Sequence, residues 1–141
     1  MRDFFIMNYL IFKFQLFEGV LLNDLLTKLE KFSGFSFYFG HSETLMPFLA
    51  RIGVARDDPP LSLDNLPDTR VWRTSLIGGE SANLVVVGLK CGDSNKVKFF
   101  LNENEVQVNG CSNNENELCE AQNFIDYNEQ FSVDTLNDIC Q

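Results

Sequence analysis

The stretch from residue 20 to residue 53 constrains the fold most, because its hydrophobic spacing changes from helical to strand-like and back. In its first part the apolar side chains recur at intervals of three and four, at Leu22, Leu25, Leu26, Leu29 and Phe32. This spacing predicts an amphipathic helix over residues 20–32. Asp24 and Lys28 stand four residues apart on its polar face, where opposite charges pair. Gly34 then follows, and glycine is the usual residue just beyond a helix C-terminus.

The second part of this stretch begins with a short aromatic run between two glycines. Residues 35–39 read FSFYF, which predicts a strand buried on both faces because even its alternate position carries Tyr38. A second amphipathic helix is predicted to begin within residues 42–44, with a hydroxyl residue as its N-cap, and to end at Gly53. Pro47 is expected in its first turn. Helix, strand and helix in this order predict an α/β unit with a polar cluster at the carboxyl end of the strand.

The rest of the chain adds a strand, a hairpin and a last helix to this unit. A polar, proline-rich loop is predicted over residues 56–67 and a buried strand over residues 84–89. The apolar runs 97–101 and 106–108 flank the polar turn Asn102-Glu103-Asn104 and predict a hairpin. A helix is predicted after Cys119. No internal repeat or domain boundary is evident, so residues 1–141 are predicted to belong to a single, partial domain.

Charge excludes two classes of function. The chain has 11 basic and 20 acidic residues and a formal net charge of −9, which excludes a nucleic-acid binder that neutralises phosphates and a basic membrane-surface helix. Ten acidic and only two basic residues lie in residues 91–141, which predicts a solubilising surface there. Residues 1–90 carry ten acidic and nine basic side chains and could therefore face an anion.

The N-terminal residues predict neither a membrane span nor a signal peptide. Residues 4–22 are the most apolar stretch, but polar side chains interrupt the roughly 18 consecutive apolar residues that a span needs. Asp3 cancels the charge of Arg2, and no small-residue cleavage site follows. We therefore expect Met1 to lie inside a larger fold.

The four cysteines offer a disulfide rather than a metal site. None of them forms a CxxC pair, and the single histidine is not spaced to join them, so no zinc site is predicted. Cys111 and Cys119 flank the polar run SNNENEL, which predicts a surface loop closed by a disulfide and an oxidising compartment. The pairing of Cys91 and Cys140 stays open. The alternative is four reduced thiols in a cytosolic protein.

The run His41-Ser42-Glu43-Thr44 is the one place where a titratable pair lies between a predicted strand end and a helix start. Ligands of open α/β sheets bind in such crevices, and a helix N-terminus suits a phosphate. Glu43 beside a bound polyanion would keep its proton, since like charges repel, and could then protonate a departing alkoxide. The alternative is structural, because a first-turn glutamate also stabilises the helix dipole.

Residues 37–54, FYFGHSETLMPFLARIGV, resemble the second catalytic motif of the histidine acid phosphatases. They are most similar to the branch of multiple inositol polyphosphate phosphatases, in which His-Ala-Glu-Thr ends a strand and a Leu/Pro-rich helix follows. Ser42 stands where that branch has Ala, and Glu43 separates the chain from the branch that has Asp. Weaker similarities extend over residues 20–130, whereas Gly78-Gly79-Glu80 departs from the Pro-Phe-type pair of the family.

This resemblance implies a fold, a reaction and a set of site residues. The fold would be the C-terminal portion of a histidine-phosphatase (phosphoglycerate-mutase-like) α/β sandwich, with Cys111–Cys119 as its late disulfide. The reaction would be hydrolysis of inositol polyphosphates, with 2,3-bisphosphoglycerate as a further candidate substrate, through a phosphohistidine and without metal or cofactor. Glu43 would donate the proton and His41 would help to hold the phosphate. The family would place the protein in the endoplasmic reticulum lumen or outside the cell.

The first motif of that family, Arg-His-Gly-x-Arg-x-Pro, does not occur in these 141 residues. A general acid accelerates only a reaction that a nucleophile performs, so this chain alone is predicted to be inactive. Two hypotheses therefore stand: the C-terminal part of an inositol polyphosphate phosphatase, or a non-catalytic acidic secreted module derived from that fold, whose partner would be a protein. A third keeps the family and replaces the substrate by simple phosphomonoesters. The oligomeric state is left open.

Overall fold

The computed structural model describes residues 18–32, 34–62, 64, 66–111 and 118–132. In chain order these form helix α1 (residues 18–31), α2 (Ser42–Ile52), α3 (Thr74–Ile77), strands β1 (Leu84–Cys91), β2 (Ser94–Leu101), β3 (Asn104–Val106) and β4 (Cys119–Glu120), helix α4 (Ala121–Asn128) and a short 3-10 helix (Glu129–Phe131). The architecture is mixed α/β with an antiparallel sheet, which confirms the predicted fold class.

The sheet is built from two consecutive hairpins. β2 pairs antiparallel with β1 on one edge and with β3 on the other, which confirms the hairpin predicted around Asn102-Glu103-Asn104. Asn102 and Glu103 both have positive φ angles, of 48° and 65°, as a two-residue turn between twisted antiparallel strands requires. Asn102 also ties this turn to its surroundings, because its side-chain oxygen accepts a hydrogen bond from the Asn83 amide at 3.0 Å.

The fourth strand is held by a disulfide. β4 pairs antiparallel with β2, with Cys119 opposite Val97. Cys119 is bonded to Cys111, with 5.1 Å between their Cα atoms, so the predicted disulfide is confirmed. Cys91 is a free, exposed thiol at the end of β1, and the open question of Cys140 falls outside the described residues.

The hydrophobic core lies between the sheet and the helices. Phe124 of α4 is fully buried, and its ring centroid lies 4.8 Å from that of Phe99 on β2. The helices contribute their apolar faces to the same cluster: Leu22, Leu26 and Leu29 from α1, Phe48, Leu49 and Ile52 from α2, and Ala121 and Ile125 from α4. These are the faces that the hydrophobic spacing predicts for all three helices.

Helix α1 packs against the first strand of the sheet. The predicted pair forms, with Lys28 Nζ 2.6 Å from Asp24 Oδ1. Just after the helix the Phe32 ring lies over Gly88 of β1, where a Cβ atom would come within 2.9 Å of the ring. Gly88 therefore permits the close approach of α1 to the sheet.

The predicted burial of residues 35–39 is wrong. This stretch belongs to no helix or strand, and Phe35, Phe37, Tyr38 and Phe39 are 88%, 76%, 55% and 96% exposed. A strand becomes buried only when neighbouring strands pair with it, and no described residue pairs with this one. Strand β1 is also less buried than predicted: Val85 is 47% exposed, and β2 is the one described strand that pairs with β1.

The start of α2 differs from the prediction in two details. His41 is the N-cap rather than a hydroxyl residue, and no side chain makes a capping hydrogen bond. Pro47 lies inside the helix, beyond its first turn. The helix ends at Gly53 as predicted, with a φ angle of 82° that favours glycine.

None of the helices in the described part of the chain has the length and apolar character needed to cross a membrane.

Candidate functional site

The candidate site is the corner where the chain enters α2. His41 has an extended backbone, with φ −110° and ψ 174°, and its carbonyl accepts hydrogen bonds from the amides of Thr44 at 3.0 Å and Leu45 at 3.1 Å. The amides of Ser42 and Glu43, which precede these two, have no backbone partner among the described residues and point out of the end of the helix. The corner therefore offers hydrogen-bond donors and the positive end of a helix dipole.

The structure brings His41 and Glu43 together on this corner, and both side chains are exposed. The Ser42 hydroxyl donates a hydrogen bond to Glu43 Oε2 at 3.3 Å. Both side chains are therefore accessible to an anion that binds at the helix N-terminus. The catalytic roles of His41 and Glu43 stay predictions.

The helix that carries this corner is rigidly anchored at its other end. Leu49 and Ile52 are completely buried, and the Asn109 amide donates a hydrogen bond to the Ile52 carbonyl at 2.7 Å. A Cβ atom on Gly53 would overlap the Asn109 side chain. The C-terminal end of α2 is thus fixed to the loop after β3, and this contact anchors the helix whose N-terminus carries His41 and Glu43.

A second contact fixes the middle of α2. The Met46 side chain lies against Gly78, where the Sδ atom would come within 2.5 Å of a Cβ atom. Gly78 begins the run Gly78-Gly79-Glu80, at which the sequence departs from the Pro-Phe-type pair of the resembled family. The absence of a side chain at Gly78 leaves room for Met46. The sequence shows the glycine, but the methionine that it accommodates is visible only in the structure.

A cavity of about 380 Å³ lies at the other end of α2 and does not include the corner. Its lining includes Gly53, Arg56, Asp57 and Asp58. The Asp57 carboxylate accepts hydrogen bonds from the Val71 and Trp72 amides, at 2.7 and 2.9 Å, and so holds the proline-rich loop in place. Within the described residues, no group of three or more His, Cys, Asp and Glu side chains is placed to hold a metal ion.

The sequence pattern did not predict that one carboxyl group, that of Glu18, is buried. Glu18 is 2% exposed, and burial raises its pKa to about 7 although the positive charge of Arg51 acts in the opposite direction. Burial likewise lowers the pKa of Arg51, whose guanidinium carbon lies 5.0 Å from the ring centroid of Phe131. In the sequence Glu18 only interrupts an apolar stretch, and Arg51, whose charge acts on it, lies 33 residues further along the chain.

Comparisons with known proteins identify two relatives that share the same name. Multiple inositol polyphosphate phosphatase 1 of Drosophila melanogaster is 41% identical over 80 residues, which cover 53% of this chain and 17% of the relative. Multiple inositol polyphosphate phosphatase 1 of Dictyostelium discoideum is 30% identical over 92 residues, which cover 61% of this chain and 14% of the relative. No family model and no solved structure matches the chain.

These similarities are local to part of each protein. The chain spans about a sixth or a seventh of the length of the curated relatives it matches. Both relatives carry the phosphatase name that the resemblance predicts. The mixed α/β architecture is consistent with part of a histidine-phosphatase-like fold.

Proposed function

We propose that this chain supplies the proton-donor corner of a histidine acid phosphatase that acts on inositol polyphosphates. The observation that carries the proposal is the placement of His41 and Glu43 at the N-terminus of α2, in a chain similar to two proteins named multiple inositol polyphosphate phosphatase 1. Glu43 protonates the leaving oxygen of the ester, while His41 and the helix N-terminus hold the phosphate.

The nucleophile of this reaction has to come from outside the 141 residues. His41 is the only histidine, and it is assigned to phosphate binding. A phosphohistidine route needs a second imidazole that attacks phosphorus, together with arginines that hold the phosphate. The chain alone is therefore expected to bind the anion weakly and to release no phosphate from inositol hexakisphosphate.

A chimera tests the role of Glu43 directly. Residues 37–54 of this chain replace the aligned residues of the Drosophila relative, and phosphate release from inositol hexakisphosphate is measured. We expect the chimera to keep activity and Glu43→Gln within it to lower kcat by about 10²- to 10⁴-fold, the range for loss of a general acid. Glu80→Gln in the matching chimera of residues 37–83 is the control for charge, because Glu80 is an exposed carboxylate to which the proposal gives no role. Full activity of the Glu43→Gln chimera would refute the proposed role.

Binding to the chain itself separates the role of His41 from that of Glu43. In an NMR titration with inositol hexakisphosphate, the amides of residues 42–44 should shift. His41→Ala should weaken the binding, whereas Glu43→Gln should leave it equal or tighter because it removes a like charge.

Comparison of inositol hexakisphosphate with 2,3-bisphosphoglycerate and a small aryl phosphate in the chimera then identifies the substrate class.

We also propose that the protein resides in the endoplasmic reticulum lumen or outside the cell. The bond between Cys111 and Cys119 supports this, since disulfides persist in oxidising compartments. Protease protection of a tagged chain in microsomes would test it, and a fully reduced cytosolic chain would refute it.

The second candidate function is a non-catalytic acidic module that binds a protein. The exposure of Glu43 on an open corner favours it, because a proton donor ordinarily works in a site that excludes water. A chimera that loses all activity on receiving residues 37–54, yet folds, would support this alternative.

A further inference from the structure

Met46 lies on the same face of α2 as the proposed proton donor. It follows Glu43 by three residues and Ser42 by four, and side chains at these spacings are neighbours on a helix, with about 5–6 Å between their Cβ atoms. Long side chains of a helix point back toward its N-terminus and cover the preceding turn. The Met46 side chain therefore adjoins the turn that carries Glu43.

On its other side Met46 contacts the backbone of Gly78. A Cβ atom on Gly78 would lie 2.5 Å from Met46 Sδ and 3.1 Å from its Cγ. Non-bonded carbon atoms pack at about 3.5–4.0 Å, so any side chain at this position would displace the methionine. Met46 is partly buried and also packs against the hydrophobic core. Its side chain thus occupies the space between Gly78 and the first turn of α2.

Gly78 is itself held in place by α3 and the sheet. Its amide donates a hydrogen bond to the Thr74 carbonyl at 2.9 Å, and the preceding residue, Ile77, is buried. The Asn102 side chain donates a hydrogen bond to the Leu76 carbonyl at 3.1 Å, which ties the end of α3 to the turn between β2 and β3. The contact with Met46 therefore connects the candidate corner to the sheet through described residues that touch one another.

We propose that Met46 is a positioning residue for Glu43, and that its contact with Gly78 limits the directions in which the Glu43 carboxyl group can turn. The inference rests on the proposed function, in which Glu43 protonates the leaving oxygen. A proton donor must come within hydrogen-bond reach of that oxygen, about 2.6–3.2 Å. A displacement of about 1 Å, caused by a change away from the chemistry, can lower the rate by about 10²-fold.

The chimera of residues 37–83 contains both sides of this contact and provides the test. Gly78→Ala should lower kcat for inositol hexakisphosphate by about 10- to 10²-fold, because the new Cβ displaces Met46. Met46→Ala removes the support without a clash and should lower kcat by about tenfold. In the double variant the clash is absent, so its kcat should equal that of Met46→Ala alone.

Gly79→Ala is the matched control. A Cβ atom on Gly79 would come near the Ser75 carbonyl oxygen, at 3.3 Å, and no other atom is that close. The variant should therefore leave kcat unchanged. Equal losses for Gly78→Ala and Gly79→Ala would overturn the proposal, because the effect would then not pass through Met46.

A second background separates positioning from a general loss of structure. In the Glu43→Gln chimera no proton donor remains to be positioned, so Gly78→Ala should lower kcat by less than about twofold there. A purely structural defect would lower kcat by the same factor in both backgrounds, and that result would overturn the proposal. If Gly78→Ala prevents folding, as circular dichroism would show, Met46→Ala in the two backgrounds makes the same comparison.

The 141-residue chain gives a measurement that does not depend on activity. In its amide NMR spectrum Gly78→Ala should shift the signals of residues 42–44, whereas Gly79→Ala should leave them in place. Unchanged signals in Gly78→Ala would overturn the proposal. Full activity of the Glu43→Gln chimera would refute the proposed function and this inference together. Loss of activity in Glu43→Gln with no effect of Gly78→Ala or Met46→Ala would refute the inference alone.

Discussion

In the sheet region, residues 84–132, consecutive hairpins and a disulfide supply partners for all four described strands. In the helical region, residues 18–53, the helices bury their apolar faces in the same core, but residues 35–39 between them, called the aromatic segment here, join no described strand. The comparison shows that a strand pairs readily when its partner strand is next to it in sequence. A single strand between two helices depends on a partner supplied from farther away.

The largest expected difference between the two regions concerns phenylalanine. Phe124→Ala should lower the free energy of unfolding by about 3–5 kcal/mol, since it empties a fully buried site against Phe99. Phe39→Ala should change it by less than about 0.5 kcal/mol, because Phe39 is 96% exposed. Urea unfolding followed by circular dichroism, at a concentration where the chain is monomeric, measures both. Equal losses would mean that the aromatic segment is as well packed as the core.

Removal of the disulfide should have the next largest effect. Cys111→Ser combined with Cys119→Ser should cost about 2–3 kcal/mol, because the unfolded chain is no longer constrained by the closed loop. Cys91→Ser, at a free and exposed thiol, is the control and should be neutral. If the double variant is as stable as the natural chain, β4 is held by its pairing with β2 alone.

Gly53 connects the two regions through its contact with Asn109. Gly53→Ala should cost about 2 kcal/mol, because the φ angle of 82° is unfavourable for a side chain and the new Cβ would overlap Asn109. Gly92→Ala is the matched control, since its φ angle is 64° but nothing lies within 4 Å of the added Cβ. A larger loss for Gly92→Ala would show that the packing against Asn109 adds nothing.

Glu18 should make stability depend on pH in the helical region. Its pKa is about 7 in the folded chain against 4.5 when unfolded, so the folded chain binds the proton more tightly. Stability from this group is therefore fully present below pH 4.5 and is lost as pH rises to about 7. Glu18→Gln should remove this dependence and raise stability at pH 8 by about 1–2 kcal/mol. Thermal melts between pH 5 and 8 provide the measurement, and an unchanged slope in the variant would contradict the assignment.

The sequence predicted the elements whose causes are local. The spacing of Leu22, Leu26 and Leu29 located α1, and the polar run at 102–104 located a turn that needs two positive φ angles. Cysteines at either end of a polar loop likewise predicted the disulfide. In each of these cases the information lies within about ten residues.

Burial was predicted less well because it depends on distant partners. Phe37 has the composition of a core strand and is nevertheless exposed, whereas Glu18 has a charge and is nevertheless buried. At the candidate site, the pattern around His41 and Glu43 predicted a strand end and a helix start, of which the structure shows only the helix start. It did not predict that His41 itself would cap the helix or that Gly78 would accommodate Met46.

The Asp57 carboxylate, which binds the amides of Val71 and Trp72, has a practical consequence for optical experiments. Trp72 is the only tryptophan of the chain, so its emission reports on the loop that Asp57 holds rather than on the helix corner or the aromatic segment. Fluorescence and circular dichroism would therefore follow separate events if this loop detaches before the sheet unfolds.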